Sequence, residues 1–295
     1  MVEIGCEYEI IFIMDPSSDR TEQIIHSARA NDPNVKLIKM SRRFGQPACT
    51  MAGIQYCTGD ACIAIDVDLQ DPPELIKEMI IKWREGYHVV YAQRNSRKGE
   101  TLIKRFVAWA GYWMIDHIAE VKIPRNTGDF RLISRQVIEQ LRNFREHDAF
   151  LRGLVAYVGF NQIAIPYDRE ARLAGKGNYN RFLGSVRIGL NGVFGFSKYP
   201  LHFISLIGLC ISAISFFLAI TYITVKLSGN EIPWGNPTLV ILISFLSGIQ
   251  LLSLGIMGEY FARIYDEIKQ RPMFIVQEAH GFAKPTQERQ DVPSR

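Results

Sequence analysis

The chain has little of what a zinc site, a disulfide scaffold or a nucleic-acid binder requires. Its five cysteines (Cys6, Cys49, Cys57, Cys62 and Cys210) lack metal-ligand spacing. A cytoplasmic domain keeps such thiols reduced, so they read as small buried hydrophobes. A net charge of +4 is modest. With no compact nucleic-acid signature and no internal repeat, nucleic acid is not the expected partner. Neither of its two long apolar runs is N-terminal, so neither reads as a signal peptide. His26, His88 and His117 stand isolated and carry no catalytic pattern.

Long apolar runs are what the chain does have. Between Leu201 and Val225 the only strongly polar side chain is His202, and from Pro237 to Met257 only Gln250 interrupts. Each run exceeds the roughly 20 residues needed to cross a hydrocarbon core. Arg181, Arg187 and Lys198 precede the first run, and Arg263, Lys269 and Arg271 follow the second. The connector Lys226–Gly235 holds one Lys and one Glu. The positive-inside rule therefore places both termini in the cytoplasm. Basic residues gathered near the membrane face favour anionic lipid or phosphate as partners. Ser247, Gly248, Ser253, Gly255 and Gly258 suit close helix packing, so self-association is expected.

Ahead of these runs, strand and helix patterns alternate. Strands are predicted over Tyr8–Met14, Val35–Met40, Ala61–Ile65, Tyr87–Ala92 and Ile163–Tyr167, and helices over Thr21–Ala30, Gln46–Cys57 and Glu74–Glu85, with another beginning near Ser134. That alternation implies an α/β fold with a mostly parallel sheet, whose ligands bind beyond the carboxyl ends of the strands. Arg181 to Phe196 reads as an interfacial amphipathic helix leading into the first crossing. The tail from Ala279 is polar and reads as poorly ordered.

Candidate chemistry gathers at the strand ends. Asp66 and Asp68 follow a buried strand one residue apart, a spacing that lets two carboxylates face one Mg²⁺ or Mn²⁺ ion. Solvated strand-end acids are the competing reading; the following Gln70-Asp71-Pro72-Pro73 and helix favour metal. Asp15, after the first strand, suits a base or ribose contact, while Asp19 fits a helix cap better. Asp129, in a Gly-containing turn, is either a turn acid or, if it lies near the metal site, a general base. Arg169, Arg172 and Lys176 suit clamping of phosphate oxygens, against a solvated basic loop. Arg42 and Arg43 are divided equally between phosphate contact and solvation.

The runs Asp66-Val67-Asp68-Leu69-Gln70-Asp71-Pro72-Pro73 and Gly128-Asp129-Phe130-Arg131-Leu132, with the two apolar runs, resemble the inverting GT-A glycosyltransferases of family 2 that act on polyprenyl phosphates. The resemblance covers about Glu9 to Ala279. It implies a GT-A, Rossmann-like fold and places Asp66 and Asp68 at a nucleotide-sugar diphosphate through Mg²⁺ or Mn²⁺. It makes Gln70 a neighbouring sugar or phosphate contact and Asp129 the match to the proposed base. Asp15 becomes the second carboxylate of an Asp-Asp-Gly-Ser turn, and Arg169, Arg172 and Lys176 fall in a basic loop near the acceptor phosphate. Departures accompany it. Met14-Asp15-Pro16-Ser17 replaces that turn, and Gly175-Lys176-Gly177-Asn178-Tyr179 replaces the commoner Gly-x-Ser-Lys-Tyr. The family's first strand, ending Pro-x-Tyr-Asn-Glu, has no counterpart here; its omission implies exposed ladder groups and apolar surface.

The resulting expectation is a catalytic domain over 1–180, an interfacial helix over 181–199, a two-helix membrane domain over 200–262 and a cytoplasmic tail over 263–295. The implied function is inverting transfer of glucose from UDP-glucose to polyprenyl (undecaprenyl) phosphate at the inner membrane. Alternatives are another donor such as GDP-mannose or UDP-GlcNAc, or an inactive transferase-like membrane scaffold.

Overall fold

Strand propensity and helical periodicity resolve into two compact units in a computed structural model of the chain, one spanning 1–100, 123–178 and 272–295 and the other 101–122 and 179–271. The structure describes residues 5–68, 70–95, 124, 126–144, 146, 151–168, 197–229 and 236–282.

The first unit contains β1 (Ile10–Met14), α1 (Thr21–Asn31), β2 (Val35–Met40), α2 (Gln46–Tyr56), β3 (Ala61–Ala64), α3 (Leu75–Arg84), β4 (Val89–Arg94), β5 (Thr127–Ser134), α4 (Arg135–Asn143), α5 (Leu151–Val158), β6 (Gln162–Tyr167) and β7 (Val276–His280). Its helices bury residues at helical spacing: Val137, Ile138 and Leu141 on α4, and Leu151, Leu154 and Val155 on α5. On α2 small residues allow close approach. A Cβ on Gly53 would lie 3.1 Å from Ile13 Cδ1, so this helix settles tightly on β1. Met79 and Ile80 of α3 pack on Val90, Ala92, Phe130, Leu132, Ile165 and Tyr167, which forms one face of the core.

The strands form two sheets, ordered β1-β2-β7 and β3-β5-β4-β6. Parallel pairing joins β1 to β2 and β4 to β6, whereas β2–β7, β3–β5 and β4–β5 are antiparallel. The expected mostly parallel sheet is thus replaced by mixed topology. β5 was read as a turn because Thr127-Gly128-Asp129 has turn composition, and it inserts antiparallel between β3 and β4. β7, in the segment read as tail, pairs with β2, whose Leu37, Ile38 and Met40 are fully buried.

Among the described residues β1 and β3 each pair along one side only. Nearby apolar side chains stay open, with Ile10 43 % and Ile65 41 % exposed. Side chains join the two sheets where backbone ladders do not. Glu9, just before β1, accepts from Thr58 N, Thr58 Oγ1 and Gly59 N, just before β3, and pairs with Lys36 of β2. The cysteines are free thiols, but only Cys57 is buried; Cys6, Cys49 and Cys62 are half-buried and Cys210 is exposed, which corrects the uniformly buried reading.

The second unit carries α6 (Tyr199–Leu227) and α7 (Asn236–Ile268). Tyr199–Val225 (27 residues, mean hydropathy 2.5) and Phe245–Ile268 (24 residues, 1.2) are long and apolar enough to cross a membrane, and neither is buried by protein. Tyr260 of α7 donates to the Ser197 carbonyl just before α6, at 2.7 Å.

The Glu9 junction has a testable pH signature. Burial pushes its carboxyl up, but Lys36 and the Thr58 donors outweigh burial and hold it below its ordinary 4.5. A depressed carboxylate contributes stability that is complete above the ordinary value and is lost as pH falls through the folded one. Glu9→Gln should lower the melting temperature of the detergent-solubilised protein at pH 7 by about 2–4 °C, the shift of ~1 kcal/mol in a unit of this size. It should also flatten the decline below about pH 4.5. Parallel pH curves for both proteins would remove the junction from the stability account.

Candidate active site

The site is assembled at the carboxyl ends of β1, β3, β4 and β6, where the antiparallel β5 begins. Ala64 of β3 and Tyr91 of β4 both pair with Arg131. Asp66 and Asp68 follow just beyond Ala64, and Asp129 lies two residues before Arg131 on β5, so all three fall at the same end of the sheet. The turn acid of the sequence is therefore the first part of a strand and shares one sheet end with the acidic run. The geometry brings Asp66, Asp68 and Asp129 to that end from two distant segments.

Asp66 accepts from Gln46 Nε2 at 2.8 Å, so the first residue of α2 holds it. Asp68 accepts from the Gln70 amide at 3.2 Å in a tight turn, and Val67 between the acids is 83 % exposed. Both carboxylates are half-buried, and Gln70 lies beside them. Asp71, by contrast, is 1 % exposed and accepts from the Tyr167 hydroxyl. Pro72 and Pro73 then open α3, where their missing N–H groups cost nothing.

Alternation along β5 divides the site into two sides. Gly128, Phe130 and Leu132 share the face toward α3, where Arg94 at the end of β4 accompanies Val90 and Ala92. A Cβ on Gly128 would lie 2.9 Å from Arg94 Nη2, so glycine lets this guanidinium lie against the strand. Arg94 Nε donates to Tyr167 Oη at 3.2 Å. On the opposite face are Asp129 and Arg131. Arg152 of α5 pairs with Asp129, Nε to Oδ1 at 3.0 Å. Arg131 is 4 % exposed and donates from Nη2 to the Gly128 carbonyl at 2.7 Å. Its Nε meets no partner among the described residues. Burial pulls the Arg131 guanidinium down to about 10, against the opposing pull of Asp129.

Asp15 sits at the end of β1, as expected, and both of its oxygens are engaged by backbone. Oδ1 accepts from Phe44 N at 3.0 Å and Oδ2 from Gly45 N at 2.9 Å. Gly45 has φ +90°, a left-handed conformation that suits glycine. Asp15 thus fixes the turn that launches α2 and, through Gln46, the position of Asp66. Burial and this carboxylate push the neighbouring Cys49 thiol up to about 12, so it stays protonated. Arg42 lies over the Phe44 ring at 4.0 Å.

Arg169, Arg172 and Lys176 lie outside the described residues. The chain heads toward them from the carboxyl end of β6, where Asn95 N donates to the Tyr167 carbonyl at 3.0 Å and Asn95 Nδ2 to Asp168 at 3.3 Å. Sequence reasoning missed Arg94, Tyr167, Arg131, Arg152 and Gln46. Arg94 was accessible, since it is a cation at the carboxyl end of a recognised strand. Arg131 and Arg152 depended on β5 and α5, whereas Gln46 and Tyr167 stand on elements that the sequence does predict but carry no motif of their own.

Among the described residues no group of three or more His, Cys, Asp or Glu side chains is arranged to hold a metal. Asp66 and Asp68 supply only carboxylate oxygens and few of them, which fits a hard cation completing its shell with water and phosphate. Three acids flanked by Arg94, Arg131 and Arg152 form an end of the sheet able to take a metal-linked, multiply charged anion.

The sequence pattern of Glycosyl transferase family 2 matches residues 3–142. An uncharacterized glycosyltransferase, YkcC, of Bacillus subtilis (strain 168) is 43 % identical over 275 residues, 93 % of this chain and 85 % of its own. A second, sll0501 of Synechocystis, is 42 % identical over 279 residues, 93 % and 86 % of the two chains. The bactoprenol glucosyl transferase of Shigella phage SfII is 39 % identical over 275 residues, 93 % and 88 %. With that identity along most of both chains, and with the acidic run and Asp129 brought to one sheet end, this chain belongs to glycosyltransferase family 2 as a close relative of the bacterial bactoprenol glucosyl transferases.

Proposed function

We propose that this enzyme transfers glucose from UDP-glucose to a polyprenyl phosphate at the cytoplasmic face of the inner membrane, with inversion at the anomeric carbon. The observation that carries the reading is Asp66, Asp68 and Asp129 at one sheet end in a chain with two membrane-length helices. The relatives named for bactoprenol glucosyl transfer support the donor and acceptor. The fold is read as a GT-A arrangement whose central sheet is divided between β1 and β3.

In this mechanism Asp66 and Asp68 would hold Mg²⁺ or Mn²⁺, which when bound supplies positive charge to the leaving diphosphate. Gln46 orients Asp66, and the Gln70 turn orients Asp68. Gln70, Asp15, Arg169, Arg172 and Lys176 are assigned to sugar-nucleotide and phosphate contact, with Asp15 acting through the α2 turn it fixes. Arg94 adds a planar guanidinium beside the diphosphate. A polyprenyl-phosphate oxygen forms the bond to the anomeric carbon as the bond to UDP breaks, and UDP departs with the electron pair. That nucleophile is already anionic. Asp129, ion-paired with Arg152, therefore serves to orient acceptor or sugar rather than to remove a proton. The long helices hold the lipid, supplying proximity. Cytoplasmic termini follow from the basic flanks, and self-association from the small residues of α7.

A second reading, a catalytically silent membrane scaffold, draws on the one-sided pairing of β1 and β3 beside Asp15 and Asp66. Membranes carrying the protein, given radiolabelled UDP-glucose, UDP-GlcNAc and GDP-mannose in turn, separate these readings. Label from UDP-glucose should enter the organic phase, stop with EDTA and resume with Mg²⁺ or Mn²⁺. Movement of another label would replace the donor, and movement of none would favour the scaffold.

Asp66→Asn and Asp68→Asn should each lower kcat by about 10²-fold or more, the scale of losing electrostatic stabilisation of a developing charge. Unchanged turnover in both variants would remove the metal assignment. Asp129→Asn should retain measurable transfer with a rate independent of pH between about 6 and 8, because no proton moves to it. Complete loss of transfer with the fold intact would return Asp129 to the role of base.

A further inference from the structure

Tyr167 lies outside every role assigned so far, yet it touches both halves of the donor end of the sheet. Its ring is 5 % exposed and packs in the α3-facing core, with Phe130 edge-on at 6.5 Å between centroids. A phenolic oxygen in apolar surroundings needs partners. Two are in place. One is Asp71, at the end of the acidic run and itself 1 % exposed; the other is Arg94, whose guanidinium rests against Gly128. Chemistry fixes the directions: a carboxylate accepts only and a guanidinium donates only. The Tyr167 hydroxyl therefore donates to Asp71 and accepts from Arg94 Nε.

We propose that Tyr167 is a positioning residue that sets the Arg94 guanidinium for phosphate binding and locks it to the acidic run through Asp71. With Nε committed to Tyr167, the terminal nitrogens of Arg94 form the part of the fork that meets a ligand. A long side chain with several rotatable bonds is thereby held before substrate arrives, which saves ordering cost on binding. Burial and the Asp71 carboxylate push the Tyr167 hydroxyl up, so its proton stays in place across the neutral range. The inference rests on the reading of this sheet end as a diphosphate site.

Tyr167→Phe keeps the ring and its packing and removes only the oxygen, so a double-mutant cycle with Arg94→Met tests the assignment. Transfer and Mg²⁺-pyrophosphate affinity would be measured on the full chain in detergent for the wild type, both single variants and the double variant. Tyr167→Phe should lower kcat/KM and pyrophosphate affinity by about 10-fold, and in the Arg94→Met background should change either by less than about twofold. A purely structural tyrosine would cost the same in both backgrounds, and that outcome would overturn the proposal. So would wild-type affinity in Tyr167→Phe, or a wild type that binds no pyrophosphate. A wild type that transfers no sugar yet shows the coupling in pyrophosphate affinity would sink the transferase reading and leave the Tyr167 assignment standing.

Discussion

Antiparallel pairing of β5 with β3 and β4 places the Asp129 end of β5 where the neighbouring strands finish, and hydrophobic burial fixes that pairing. Phe130 and Leu132 are 1 % and 0 % exposed on the face toward α3. Slipping β5 by one residue would turn them away and drive Asp129 and Arg131 into the apolar cluster. Loss of burial alone costs roughly 1.5–3 kcal/mol per large side chain, before any penalty for burying charge. The Asp129 end of β5 is thus held in place by two buried hydrophobic residues on the other face of the strand.

The same alternation sorts the charges. Toward α3, Arg94 meets Gly128 and Tyr167; on the other face, Arg152 holds Asp129 and Arg131 braces the Gly128 carbonyl. Acids clustered without cations would repel one another, and cations buried without acids would be costly to desolvate. Interleaving them on two faces of one strand keeps both kinds of charge at one end of the sheet.

Much of this was legible in the sequence. Val35–Met40 was read with its observed ends, because a short run of β-branched and long apolar residues between turns has one plausible fate. The acidic run was placed correctly at a strand end by the same logic. What failed was topology. Strand β5 opens with Thr127-Gly128-Asp129, residues that local propensity assigns to a turn, and only the pairing of β5 with its neighbours makes them part of a strand. Strand β7 alternates in Val276-Gln277-Glu278-Ala279-His280, half polar, and acquires its structure by closing over β2. Arg94 was overlooked because the loop after β6 concentrates more positive charge, although position at a strand end is the stronger signal.

The placement of β7 changes how the membrane segment relates to the rest of the chain. Reading along the sequence suggests a catalytic domain followed by an anchor and a tail. The fold shows a chain that leaves the first unit after β6 and returns to it as β7. The long helices are therefore an insertion, and β7 closes it by covering the side of β2 that β1 leaves open. Lys39 of β2 links Glu22 of α1 at 2.8 Å and Glu278 of β7 at 3.9 Å, and His26 of α1 stacks edge-on with His280 at 5.1 Å. An insertion held at both ends explores less volume than a segment tethered at one, since closing the loop removes conformational freedom. The strand that follows the second apolar helix thereby returns the chain to the β1-β2-β7 sheet, which a terminal tail would not do.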